Sequence, residues 1–322
     1  MKLVNLSLFA LPVLLSSCMK EELPVPAQER GEGRSVQVCM GPGYQEQIWI
    51  DLATGATMAS NNKSAWDLAF ESEPAGWRIY LNGSRLMSVW HSTATDMSAP
   101  LDTAGMAAAK RIDAPSGHRD STAIGDWRAL DAIRVVDLGF NAFGAPLGMR
   151  KVRLLEVNAT SYRFEIADLN GSDMRTIVLP KDASRSFTSY SFANGVVPIE
   201  PQQGTWDIVI TQYTHQFYEP FLPYIVTGAL VDMATTRVAR IPSADFQQVT
   251  LQDTVQFPFN ARRDAIGYDW KDYSFDSGSY TVFPEMVYIV QDAEGFFHKL
   301  QFTEFYGPQG QVGCPTMNIL PL

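Results

Sequence analysis

Four histidines and three cysteines in 322 residues leave little from which to build a metal or redox centre. There is no C-x-x-C-H, so covalently attached haem is excluded as far as sequence can exclude it. The histidines, His91, His118, His215 and His298, are 27, 97 and 83 positions apart, and none of these gaps is a zinc spacing. G-x-S-x-G, a Walker A loop and H-E-x-x-H are all absent. "LNGSRL" at 81–86 contains Gly83-Ser84 but lacks the second glycine of a nucleophile elbow. Charged side chains are scarce at 19%, so the chain does not have a disordered composition. The net charge of −10 comes without a basic stripe, which argues against a nucleic-acid partner and suits plain solubility. What the chain does have is a 46% apolar content, enough for the core of one large β domain or two ordinary ones.

The start of the chain stands apart. Lys2 is a short positive region, "LVNLSLFALPVLL" is apolar but short for a bilayer span, and "LSSC" ends at Cys18. Residues 1–17 therefore read as a secretory leader with a lipobox. Cys18 reads as the acylated mature N-terminus, a membrane anchor without a spanning helix. Residues 18–36 are rich in Glu, Pro and Gly and read as a flexible tether before a domain at 37–322. Its "KEE" at 20–22 resembles the Lys-acidic-acidic export signal of surface lipoproteins in Bacteroidetes-type bacteria. Cys39 and Cys314 remain in the mature chain. A compartment outside the cytoplasm permits a bridge between them, and two unpaired thiols are the other reading.

Past the tether the pattern is that of strands. "VRLLEV", "YRFEIADLNGSDMRTIVL", "TWDIVITQY", "PYIVTGALVD" and "EMVYIVQDAEGFFHKLQFTEFY" are β-rich runs broken by Gly, Asn and Asp. Asn170-Gly171 predicts a primed hairpin turn, since both central positions of such a turn need positive φ. "DTAGMAAAKR" at 102–111 alone predicts a helix, and "APSGHRDSTAIGD" at 114–126 predicts a loop. The fold class is all-β, mainly antiparallel, with hairpins throughout.

Within that pattern the sequence repeats itself. "IDLATG" ends at Gly55 and "YSFANG" at Gly195, and Trp66-Asp67 and Trp206-Asp207 follow eleven positions behind their glycines. "YSFDSG", ending at Gly278, is a third copy of the first motif. Each matched pair reads as a strand, a connection and a second strand, with a buried indole and an aspartate that accepts backbone N–H groups. Duplicated strand units follow, in one domain or in two packed modules near 37–180 and 181–322.

The opening "IWIDLATG…WDLAFESEPAGWRIYLNG" and the closing "YSFDSGSYTVFPEMVYIVQDAEGFFHKLQFTEFY" resemble the HmuY family, haem-binding lipoproteins of Bacteroidetes. The central "YSFANG…WDIVITQYTHQFYEPFLPYIVTGALVD" and "IGYDWKDY" resemble longer members that carry an added module. The resemblance implies an all-β, surface or outer-membrane, lipid-anchored protein that binds non-covalent b-type haem. It also implies a TonB-dependent outer-membrane receptor as partner. The founding member holds haem between two histidines, and one of them precedes the glycine of the segment matching "YSFDSG". Ser277 stands there in this chain, and a hydroxyl is a poor axial ligand. The ligand candidates are then His215, at the end of a strand, and His91, near Met87 and Met97. Taken singly, each histidine is more ordinary as a surface or satisfied residue than as a ligand. An alternative is a surface module for protein or glycan without haem, which exposed aromatics in "QFYEPFLPY" at 216–224 would favour. A third class, a hydrolase, finds only Glu71 and Glu73, which alternate on one strand face. Solvent-facing charges on an edge strand explain that pair as well, and the chain reads as no enzyme.

Overall fold

The computed structural model describes residues 32–322. The leader at 1–17, the Cys18 anchor and most of the tether lie outside them. β1 (Arg34–Gln37) lies within the stretch read as tether and pairs with the last strand of the chain, so ordered structure begins before residue 37. Four strands follow: β2 (Glu46–Ile50), β3 (Thr57–Asn62), β4 (Leu68–Glu71) and β5 (Ile79–Leu81). Then come five: β6 (Ser88–His91), β7 (Arg134–Asp137), β8 (Met149–Val157), β9 (Ser161–Ala167) and β10 (Arg175–Pro180). The next four are β11 (Phe187–Ser191), β12 (Gly195–Val197), β13 (Ile208–Tyr218) and β14 (Phe221–Val231). β15 (Arg237–Ile241) precedes a small hairpin, β16 (Lys271–Ser274) with β17 (Ser279–Val282). β18 (Val287–Gln291), β19 (Phe297–Tyr306) and β20 (Val312–Pro321) end the chain.

This succession is a duplication, and strand pairing shows how it closes. One five-stranded sheet runs β10-β9-β8-β7-β6 and the other β1-β20-β19-β18-β15, in corresponding order. β8 and β19, which correspond, each break register beside the next strand, at Leu154/Glu156 and Phe302/Glu304. The four-stranded sheets are made by exchange. β2 and β3 join β13 and β14, while β11 and β12 join β4 and β5. Ile208 pairs with Ile50, and Leu68 pairs with Tyr190. In both copies the residue two after the tryptophan faces the residue five before the glycine. "YSFDSG", the third copy, forms only the β16–β17 hairpin.

The Trp-Asp pairs explain themselves at this point. Asp67 accepts the Phe192 N–H at 2.6 Å, in the turn of the other copy, and also pairs with the buried Arg85. Asp207 accepts the Leu52 N–H at 2.8 Å in return. Each carboxylate thus satisfies a buried turn donor that strand pairing leaves over.

Side chains alternate across these strands, so each central strand serves two cores. In β2 and β13, Ile48, Ile50, Ile208 and Ile210 pack with Tyr288, Leu300 and Phe302 of the C-terminal five-stranded sheet. In β4, Leu68 and Phe70 pack with Val136, Val152 and Phe164 of the other. The intervening Trp49, Ala69 and Val209 meet Trp66, Tyr80 and Trp206 between the two exchanged sheets. The four larger sheets are therefore layered around the three largest of five hydrophobic clusters among the described residues, and β16–β17 makes a fifth, two-stranded sheet. Both tryptophans of the repeat belong to the innermost core, and the Trp206 ring meets Trp49 edge-on at 4.6 Å. Cys39 and Cys314 are disulfide-bonded, with Cα atoms 4.0 Å apart, just beyond the β1–β20 pairing.

Three local expectations are corrected. Residues 102–111 contain only a 3-10 turn at Met106–Ala109, whose four residues bury nothing that could hold a longer helix. The Asn170-Gly171 hairpin closes through the longer loop 168–174, with only Gly171 of the pair at positive φ, +90°. A side chain on Gly171 would stand 1.9 Å from the Ser98 carbonyl oxygen, so close approach of two loops decides this turn. Glu71 and Glu73 do not share an exposed edge. Glu71 is buried on an inner strand and accepts the Trp77 and Arg78 N–H groups, both at 3.1 Å, whereas Glu73 is exposed beyond it.

Because both indoles sit in one core, Trp66→Ala and Trp206→Ala should each cost about 3–5 kcal/mol. Urea unfolding checks this through a lower midpoint. A midpoint unchanged in either variant would contradict the packing described.

Candidate functional site

A cleft of about 1150 Å³ is lined by residues from both copies. From the exchanged sheets come Tyr80, Phe187 and His215, with Trp206 just before β13; the wall also takes in the 114–119 loop, Arg185 and Glu200, the β14–β15 turn and residues 261–263. The volume lies just above the range of ordinary small-molecule sites, which are about 300–1,000 Å³. Its surface is mixed: aromatic rings, five arginines and a few buried acids.

His215 is half-buried on β13, between Phe217 at 5.0 Å and Tyr268 at 4.9 Å, measured between ring centres. Its Nδ1 is buried and makes no hydrogen bond among the described residues. Burial pushes the imidazole pKa down, which keeps the ring neutral near pH 7, the form that ligates metal. His118 lines the same cleft from an exposed loop, where its Nδ1 accepts the Asp120 N–H at 3.3 Å. Gly117 beside it has a φ of +67°, and a Cβ there would stand 2.4 Å from the Met233 sulfur. That contact brings the loop against the turn carrying Met233, whose thioether also lines the cleft.

His91 is elsewhere. Its Nε2 donates to the Ala123 carbonyl at 2.8 Å, and it lines neither this cleft nor the smaller internal cavity beside Trp49. The structure thus does not bring His91 and His215 together. Met87 and Met97, its sequence neighbours, are core residues with 1% and 2% exposure. His298 is buried and bonded to Asp292 at 2.7 Å. Ser277 is exposed in the β16–β17 turn, bonded to Ser279 at 2.7 Å. Met233, Arg237 and Arg263 carry no motif, and only the fold reveals them as cleft residues.

With this geometry in place, the model of the HmuY protein family matches residues 43–318. The chain belongs to the HmuY family. Among solved structures, it is similar to apo PinO from Porphyromonas gingivitis, at 10% identity and a TM-score of 0.35, covering 91% of this chain and 98% of that one. It is also similar to the apo HmuY analog of Tannerella forsythia, at 10% identity and a TM-score of 0.33, covering 92% and 100%. No match was found among curated proteins.

The arrangement of this HmuY-family cleft fits an iron porphyrin. An imidazole without a hydrogen bond among the described residues and guanidinium groups are donors such a ligand can use, while ring surface comes from Phe187 and Tyr218, since Tyr80 and Trp206 are buried in the core. The acids of the cleft work differently. Burial raises the Glu200 pKa from an ordinary 4.5 to about 8, against the stabilising Phe187 N–H bond of 2.9 Å. Burial likewise raises Asp232 in the cleft, and Asp207 behind it to about 7.

A carboxyl whose folded pKa lies above its unfolded value holds its proton more tightly when folded. The stability it contributes is complete below the unfolded pKa and is lost as pH rises through the folded one. Between about pH 5 and pH 8 the thermal midpoint of Glu200→Gln should therefore gain on that of the wild type as pH rises. Superimposable pH profiles would contradict the assignment.

Proposed function

We propose that the chain captures haem, or a related planar ligand, in the cleft between its two copies. It holds that ligand non-covalently and passes it to a TonB-dependent outer-membrane receptor. The carrying observation is His215: a neutral, half-buried imidazole that makes no hydrogen bond among the described residues, set among rings on the wall of a cleft of sufficient volume. Haem iron, when bound, would take an imidazole or a thioether as ligand. His215 is the residue that would hold it. His118 and Met233 are the further side chains of suitable type on the facing loops. His91, the other candidate, is committed to Ala123. Binding rather than catalysis is the role, and acylation at Cys18 places the protein at the outer membrane or cell surface. Cys18→Ala should release it from the membrane fraction, and unchanged anchoring would reject that placement.

One observation favours a second reading, a surface module for protein or glycan without haem. The tip of the β13–β14 hairpin exposes Tyr218 and Phe221, each to 75%, together with Tyr224 and Leu222. Aromatic side chains in such a cluster supply the contact area of protein and sugar interfaces.

A haem titration of the purified protein separates the two. Wild type should give a shifted Soret band, His215→Ala should bind about tenfold weaker or worse, and His91→Ala should match wild type. No Soret shift in wild type would leave the second reading. A shift equal in wild type and His215→Ala would remove His215 as the ligand.

A further inference from the structure

We propose that the β7–β8 loop, residues 138–148, is a finger that dips Phe143 and Leu147 into a phospholipid surface. The role rests on the reading of Cys18 as a lipid anchor, which would hold the domain beside a bilayer. "LGFNAFGAPLG" carries no charge in eleven positions, and Asn141 is its only polar side chain. Its large apolar side chains serve no core. Phe143 is 95% exposed, Phe140 42% and Leu147 39%. The duplication supplies a comparison within the same molecule. β18 and β19 correspond to β7 and β8, and their turn at 292–296 is the short "DAEGF", with Asp292 and Glu294. The fold thus closes this corner without a finger, and the longer apolar version is not a demand of folding.

A segment that enters lipid must satisfy its backbone polar groups itself, because little water reaches them there. The finger does this for its donors. The Asn141 Oδ1 accepts the Phe143 and Ala145 N–H groups, at 2.9 and 3.0 Å. The Asn141 carbonyl accepts from Gly144 at 3.0 Å, and the Asn141 N–H donates to the Ala145 carbonyl at 2.9 Å. Leu147 donates to the Gly139 carbonyl at 2.8 Å, and Pro146 has no N–H to satisfy. From Asn141 to Leu147, only the Ala142 N–H makes no hydrogen bond among the described residues. The base is equally fixed. Phe140 donates to the Arg85 carbonyl at 3.0 Å, and a side chain on Gly139, at φ +68°, would collide with that same oxygen. A stiff finger loses little freedom on insertion.

The occupant follows from what the finger lacks. With the Asn141 oxygen spent on its own turn, the finger has little directional contact to offer a protein or a sugar. The β13–β14 tip differs, since it sets the hydroxyls of Tyr218 and Tyr224 and the carboxylate of Glu219 among its exposed apolar groups. Phe143 and Leu147 ask only for an apolar medium, and such side chains settle at the boundary of headgroups and acyl chains. The net charge of −10 repels an anionic surface, so the matching lipid is zwitterionic. Two side chains bind more weakly than one acyl chain, whose association constant is about 10⁴ M⁻¹. The finger therefore orients a domain that Cys18 holds, and cannot replace that anchor.

The Cys18→Ala protein separates the finger from the anchor. Floated with phosphatidylcholine vesicles at millimolar lipid, it should travel partly with the lipid, to the same extent in low and high salt. Phe143→Asp/Leu147→Asp in the same background should lower the partition coefficient at least about tenfold. Should that variant not keep its parent's unfolding midpoint, Phe143→Ser alone, at a site 95% exposed, should lower the coefficient about threefold or more. With Cys18 intact, Phe143→Trp should add emission that vesicles with brominated acyl chains quench. No binding of the Cys18→Ala protein to vesicles, or binding that the folded finger variants keep, would overturn the inference. So would an anchored Phe143→Trp protein whose added emission stays unquenched. Finger-dependent binding by Cys18→Ala, beside an intact chain that carries no acyl group, would leave the finger standing and reject the anchor.

Discussion

Asp67 and Asp207 hold the turns of each other's copy, and the rest of the architecture depends on that exchange. A buried turn leaves backbone N–H groups that neither water nor strand pairing satisfies. Here the Phe192 and Leu52 donors are met by carboxylates from the opposite repeat, at 2.6 and 2.8 Å. The hairpins consequently cannot be sorted into two independent halves, because each exchanged sheet takes two strands from each copy. The two carboxylates are not equally comfortable. Asp67 has the Arg85 guanidinium beside it, while Asp207 has no cation among the described residues and burial pushes its pKa up to about 7.

The same duplication accounts for the disulfide and for the cleft. The fifth strand of the C-terminal sheet is β1, from the start of the described chain, where its counterpart β10 follows directly on β9. Cys39–Cys314 ties that far strand to its neighbour across 275 positions. In the loop-entropy account, such a closure restricts the unfolded chain by roughly 5–6 kcal/mol at most. The cleft arises where residues of both exchanged sheets meet the connecting loops, which is why one wall carries Trp206 and His215 and another Tyr80 and the 114–119 segment.

The fold was legible where chemistry is local. Trp-Asp at a fixed distance from a glycine turn announced a repeated unit, and alternation announced strands. Where two distant segments touch, sequence misled: Gly171 answers to Ser98, and the alanines at 107–109 pack against nothing that would stabilise a helix. Glu71 read as a surface charge because its burial depends on neighbours far along the chain. At the site, His215 stood out as a strand-end histidine. His118 was visible only as a loop residue, and Met233, Arg237 and Arg263 not at all. Single side chains on three separate turns have no spacing to detect, and only the packing around Gly117 brings them to one corner.

On the proposed reading, one ligand site lies between the exchanged copies, with His215 at its heart. A crystal structure of the protein grown with haem measures this directly. Density for a planar macrocycle is expected in the cleft, with the iron facing the His215 imidazole. Density against the exposed β13–β14 tip or beside His91, with the cleft left to solvent, would contradict it.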